Sequence, residues 1–198
     1  MSNTPLPRPL ILGSTSPYRR ELLQRLRLPF EVVRPDVDET PQKGELPMAL
    51  AQRLAMEKAL AVARQHPQAV VIGSDQVAEL DGEPLGKPGN HERAIAQLQR
   101  MRGHTVVFQT AVAVVCIESG FAEQALAQVK VQFRQLSDEA IETYLRAEEP
   151  YDCAGSAKSE GLGISLLEAI HNDDPTALVG LPLIRTCRML RSAGVQRL

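Results

Sequence analysis

Cysteine is scarce in this chain: three in 198 residues, at Cys116, Cys153 and Cys187, with no CxxC pair. An odd, sparse set gives no disulfide framework and fits a reducing compartment. The four histidines, His66, His91, His104 and His171, share no spacing that puts two on one helical face, which argues against a zinc site. Charge of one sign is also lacking. Lys plus Arg number 22 against 24 Asp plus Glu, a formal net charge of −2, so composition gives no support for a nucleic-acid polymer or a membrane surface as partner. The longest apolar run, Ala111–Ile117, is too short to span a bilayer. Met1 to Pro9 lacks a charged start followed by a long apolar stretch, so no signal peptide is expected. These absences together predict a soluble, cytoplasmic protein.

What remains is ordinary globular material, 43% hydrophobic and 23% charged, long enough to bury a real core. One domain over residues 1–198 is expected, with room for two lobes around a cleft. The element pattern is mixed α/β. Leu10–Gly13 reads as a strand, and Ser16-Pro17 as the cap and first residue of a helix through Leu28. Phe30–Val33 reads as a strand and Pro47–Arg64 as a helix. Ala69–Gly73 is a buried strand; beyond it Asp81-Gly82 joins Val77–Leu80 to Glu83–Leu85 as a hairpin. Asn90 caps a helix over His91–Arg102, and Thr105–Ile117 and Ala125–Leu136 read as long strands. Ser137 starts a further helix, Ile164–Ile170 reads as a strand and Leu178–Arg191 as the closing helix.

Several short stretches carry chemistry, each with a plainer reading beside it. Ser14-Thr15-Ser16-Pro17-Tyr18-Arg19-Arg20 joins a strand to a helix start, where free N–H groups favour an anion. Arg19 and Arg20 there oppose the helix dipole at a cost of ~0.3–1 kcal/mol each, which a bound phosphate would turn to advantage. The plain reading is a capped surface turn. Ser74-Asp75-Gln76 follows a buried strand, where an Asp can hold a metal or activate water, or simply form an Asx turn. Asp36-Val37-Asp38-Glu39-Thr40 supplies the hard oxygens Mg²⁺ prefers, or is a solvated acidic loop. Gly86-Lys87-Pro88 resembles part of a P-loop but lacks its spacing and its Ser or Thr. Glu57-Lys58 reads as an exposed helix pair, and Ala154–Gly163 as a small-residue loop that is either a connector or a ligand neighbour. Taken together, these parts suit metal-assisted hydrolysis or transfer at a phosphoanhydride.

Ser14–Arg20, Val37-Asp38-Glu39-Thr40, Ala55-Met56-Glu57-Lys58-Ala59, Gly73-Ser74-Asp75-Gln76, Gly86-Lys87-Pro88 and Val179-Gly180-Leu181-Pro182-Leu183 resemble, in order, the Maf nucleoside triphosphate pyrophosphatases. The run Cys153–Ile164 resembles their 7-methyl-GTP branch rather than the dTTP/UTP branch, with Tyr18 standing where close members are expected to carry Trp. The resemblance implies an elongated mixed sheet flanked by helices, with a deep nucleotide cleft, and cleavage between the α and β phosphates. It implies Asp75 as general base, and Glu39 with Asp75 as ligands of Mg²⁺, Mn²⁺ or Co²⁺. It assigns Ser14, Arg19, Arg20, Lys58 and Lys87 to the triphosphate, and Tyr18, Gln76 and Glu160 to base preference. It further implies removal of modified nucleotides, restraint of cell division and a homodimer. The alternatives are a dTTP/UTP pyrophosphatase and a non-catalytic nucleotide-binding regulator of division.

Overall fold

Residues 8–195 are described by the structure, a computed structural model; most of the Met1–Pro9 stretch lies outside them. Seven strands run β1 Leu10–Gly13, β2 Glu31–Val33, β3 Val70–Leu80, β4 Glu83–Leu85, β5 Thr105–Cys116, β6 Phe121–Phe133 and β7 Leu167–His171. Five helices run α1 Pro17–Gln24, α2 Pro47–Ala63, α3 His91–Met101, α4 Asp138–Glu148 and α5 Leu183–Ser192. The strands form one mixed, open sheet in the order β2-β1-β3-β5-β6-β7, with β4 added to β3. β1 is parallel to both β2 and β3, and every other pairing is antiparallel. The expected α/β architecture is therefore present. No helix among the described residues is long and apolar enough to cross a membrane.

The sheet's two faces follow from strand alternation. On one face Ile11, Val71, Ala111, Ala113 and Val115 pack beneath α2 through Leu54, Ala55 and Val62. On the other, Leu10, Leu12, Ile72, Val112 and Val114 meet Leu22 and Leu23 of α1 and Met189 and Leu190 of α5. Farther along the long strands, Ala78, Phe108, Val129 and Val131 pack with Ala94 and Leu98 of α3 and Ile141 and Leu145 of α4. β3 and β5 thus pass from one helical pair to another, and the turning point lies near residue 75.

β6 runs Phe121–Phe133 rather than Ala125–Leu136, and three further ends differ from expectation for local reasons. α1 stops at Gln24 because the chain turns through Arg27 at φ 54° before β2. The closing helix begins at Leu183: Gly180, at φ 119°, ends the short turn Ala177–Val179, and Pro182 follows. β7 starts at Leu167, after a 3₁₀ turn over Leu162–Leu166.

The largest difference concerns β3. The runs expected at Ala69–Gly73 and Val77–Leu80 belong to one eleven-residue strand, Val70–Leu80, and Ser74-Asp75-Gln76 lies inside it rather than at its end. β5 supplies hydrogen-bonding partners along the whole length, from Val71 opposite Val115 to Glu79 opposite Val107. On the other edge β1 pairs only as far as Gly13–Gly73, and β4 begins at Leu85–Ala78. Residues 74–77 therefore form an unpaired notch in the β3 edge, bounded by the carboxyl end of β1 and by the exit of β4.

Candidate active site

Asp75 occupies this notch, and alternation decides its neighbours. It shares a face with Gly73, against α2, whereas Ser74 and Gln76 face the segment before α5. A Cβ at Gly73 would stand 2.3 Å from the Ala55 carbonyl oxygen and 2.5 Å from the Ala59 nitrogen, so only glycine lets α2 lie this close. That approach carries Lys58 to the carboxylate. Lys58 Nζ donates to Asp75 Oδ1 at 2.7 Å and lies 2.8 Å from Glu39 Oε1. Lys58 and Asp75 are buried, and Glu39 closes the group from the exposed Asp36–Thr40 loop. The Glu57-Lys58 pair is thus no exposed pair: Glu57 meets Arg53 at 3.0 Å while Lys58 turns inward.

Burial works against the Glu39 carboxylate. The hydrogen bond and charge of Lys58, with the fields of Lys87 and Arg19, outweigh that effect and hold Glu39 below the usual glutamate range. Burial lowers the Arg19 pKa, opposed by the negative charges of Asp75 and Glu39. Arg19, from α1, is thus coupled by charge to both carboxylates, and Lys87, from the exposed turn after β4, to Glu39. Two carboxylates and three cations meet here, an excess of positive charge suited to a polyphosphate.

Arg19 is aimed from its helix by two partners. Its Nε donates to the Gly180 carbonyl at 2.9 Å, and Nη1 lies 3.5 Å from Ser14 Oγ. Ser16 caps α1 by accepting from the Arg19 backbone nitrogen at 3.4 Å, and no acid occupies the first turn. The strand–helix turn with its cap and first-turn proline is thus present as expected. Arg20, one position on, points elsewhere and lines a separate hollow of about 390 Å³ with Gln24, Leu28, Pro29, Phe30 and Val32.

The face opposite Asp75 is locked. Ser74 Oγ lies 2.8 Å from the Ala111 oxygen and 3.0 Å from the Gly180 oxygen. Gln76 Nε2 lies 2.8 Å from Thr110 Oγ1 and 3.0 Å from the carbonyls of both Ala177 and Leu178. The Gln76 nitrogen is therefore committed to protein, leaving its oxygen as the atom for any ligand. Asp174, which is fully buried, ties the segment 177–180 to α5: its backbone oxygen accepts from the Ala177 nitrogen at 3.0 Å, and its Oδ2 accepts from the backbone nitrogens of Ile184 at 3.0 Å and Arg185 at 3.3 Å. Sequence reasoning passed over Asp174 and Thr110, and gave Ser74 no part of its own within Ser74-Asp75-Gln76. The one available signal was Asp174-Pro175-Thr176 ahead of a helix, a capping composition.

Burial first, then the neighbouring Cys153, Asp152 and Glu160, raises the Tyr18 pKa, so its ring stays a neutral aromatic face. Cys153 is itself pushed up to about 11 by burial and by Asp152, which leaves it a thiol rather than a nucleophile.

A divalent cation fits the carboxylate pair on chemical grounds. Glu39 and Asp75 offer hard oxygens within reach of one ammonium, and among the described residues no group of three or more His, Cys, Asp or Glu gathers to make an all-protein cage. Mg²⁺ is commonly held by one or two carboxylates together with water and substrate phosphate.

Residues 9–193 match the family described as Maf-like protein. A protein of Polaromonas sp. named 7-methyl-GTP pyrophosphatase is 75% identical over 192 residues, covering 97% of this chain and 88% of its own. Proteins of the same name from Albidiferax ferrireducens and Bordetella pertussis are 74% identical over 192 residues and 58% identical over 193, each covering at least 97% of this chain and 96% of its own length. With the match spanning both the strand–helix turn of Ser14–Arg20 and the Val179–Leu183 segment that seats Arg19, the chain belongs to the Maf family.

Proposed function

We propose that the chain is a cytoplasmic nucleoside triphosphate pyrophosphatase that hydrolyses 7-methyl-GTP to 7-methyl-GMP and diphosphate. The observation that carries the chemistry is the Lys58 ammonium joining Asp75 and Glu39 in the unpaired β3 edge, with the charges of Arg19 and Lys87 acting on Glu39. Asp75 is the group placed to take a proton from water attacking the α-phosphorus. Lys58 orients that carboxylate. Arg19, Lys87 and the Ser14 turn hold the triphosphate so that the diphosphate leaves in line. A divalent cation held by Glu39 and Asp75 would add neutralisation of phosphate charge at the bond being cut. Arg20 would join the grip only by turning from its hollow. The homodimer expected from family resemblance belongs to this proposal, as does the absence of nucleic-acid and membrane partners.

The name shared by the relatives supports the choice of base, and the local chemistry agrees with it. Methylation at ring nitrogen 7 gives guanine a positive charge that GTP lacks. Tyr18 offers an electron-rich face worth ~0.5–2 kcal/mol to such a cation, and Glu160 an anion nearby. Tyr18→Ala and Glu160→Ala should each lower kcat/KM for 7-methyl-GTP several-fold more than for GTP, at roughly two- to thirtyfold for the aromatic. Equal losses on both substrates would show that these residues only shape the site. A wild-type preference for dTTP or UTP would move the protein to the other branch.

A further inference from the structure

Gln97 joins two loops that the proposed reaction uses for different purposes. It lies on α3 one turn from Ala94 and Met101, which are buried in the core, and is itself half-buried. Its Nε2 donates to the Gly86 carbonyl at 2.8 Å, the residue immediately before Lys87. Its Oε1 accepts from Ser156 Oγ at 2.6 Å, on the loop that also bears Cys153 and Glu160. Ser156 is fully buried and sits at φ 53°, directly after Gly155 at φ 71°. A serine in the left-handed region is strained and persists when its surroundings fix it. Here the Gln97 oxygen does so.

A second link runs in parallel. The Gly89 nitrogen, two residues after Lys87, donates to the Tyr151 carbonyl at 3.0 Å. Tyr151 Oη lies 2.9 Å from His91 Nδ1, and His91 Nε2 lies 2.9 Å from Glu142 Oε2. The start of the base-side loop is therefore also pinned to α3. The Gln97 amide performs both tasks at once from two separate atoms, Nε2 donating to one loop and Oε1 accepting from the other.

Resting on the reading of Lys87 as phosphate-binding and of the 153–160 loop as base-selecting, we propose that Gln97 is a positioning residue that sets the triphosphate grip and the base pocket in register. Its two arms are separable. Gln97→Glu keeps the acceptor for Ser156 but cannot donate to Gly86. Ser156→Ala keeps the Gly86 arm and frees the loop. Gln97→Leu loses both.

The test is steady-state kinetics on 7-methyl-GTP and GTP well below the melting temperature of each variant, with circular dichroism to confirm folding. Gln97→Glu is expected to raise KM for both nucleotides about tenfold, the effect of one lost hydrogen bond, with their kcat/KM ratio kept. Ser156→Ala is expected to reduce that ratio while leaving KM for GTP within about twofold. Gln97→Leu should show both effects, and in a Lys87→Ala background its effect on KM should nearly vanish. Unchanged KM and ratio in folded Gln97→Leu, the same uniform loss in all three variants, or full additivity with Lys87→Ala would overturn the proposal. Wild-type preference for another triphosphate would instead overturn the 7-methyl-GTP reading, and the KM comparisons made with that triphosphate would still decide the role of Gln97.

Discussion

Asp75→Asn is expected to lower turnover by ~10²–10⁴-fold, the usual loss when a general base is removed. The amide keeps the size of the carboxylate and a carbonyl oxygen for Lys58, so the 2.7 Å contact from α2 has a partner of the same shape. What it loses is the capacity to take a proton and the negative charge that offsets Lys58 and Arg19. With divalent metal kept saturating to offset the weaker amide ligand, nucleotide binding should survive, because removing one negative charge leaves the group more attractive to a polyanion. A kcat collapse with KM unchanged or lowered is therefore the signature, read by pyrophosphate release, with thermal melting as the folding control. Near-normal kcat would assign the preparation of water to another group, of which Glu39 is the nearest carboxylate on the same ammonium.

Excess EDTA is expected to bring turnover close to background, and Mg²⁺, Mn²⁺ or Co²⁺ to restore it, since the ligands on offer are carboxylate oxygens rather than thiolates. Two carboxylates already share the Lys58 ammonium. Glu39→Gln should accordingly raise the metal concentration needed for half-maximal activity, more than it lowers kcat at saturating metal. Full activity in EDTA would leave Lys58, Arg19 and Lys87 as the sole charge-neutralising groups and remove the metal role of both carboxylates.

The sequence made the local devices around this site legible. Ser16-Pro17 announced the start of α1, Asn90 and Ser137 the caps of α3 and α4, and Asp81-Gly82 the hairpin, with φ of 53° and 83° at its two residues. Each is set by residues within one turn of one another. β3 was harder. Ser74-Asp75-Gln76 breaks the apolar run that marks a buried strand, and only the pairing with β5 shows that the strand continues. Arg19 and Arg20 are equivalent in composition, but consecutive helical residues point about 100° apart. One finds the Gly180 carbonyl, 161 residues away in sequence, and the other the hollow beside Phe30. Lys58 looked like a surface partner of Glu57 because nothing local reveals that a side-chain-free Gly73 brings its helix face down onto Asp75. Gln97 and Thr110 carry no local signature of their parts, because each acts through partners set by tertiary packing, and Asp174 shows only the capping composition of Asp174-Pro175-Thr176.

Hydrolysis of 7-methyl-GTP in ¹⁸O-labelled water, with the products separated and weighed by mass spectrometry, tests the central claim most directly. Attack at the α-phosphorus, prepared by Asp75 in the β3 notch, would place one labelled oxygen in 7-methyl-GMP and leave the released pyrophosphate unlabelled. Label in pyrophosphate or in free phosphate, or binding of the nucleotide without turnover in the presence of divalent metal, would contradict it.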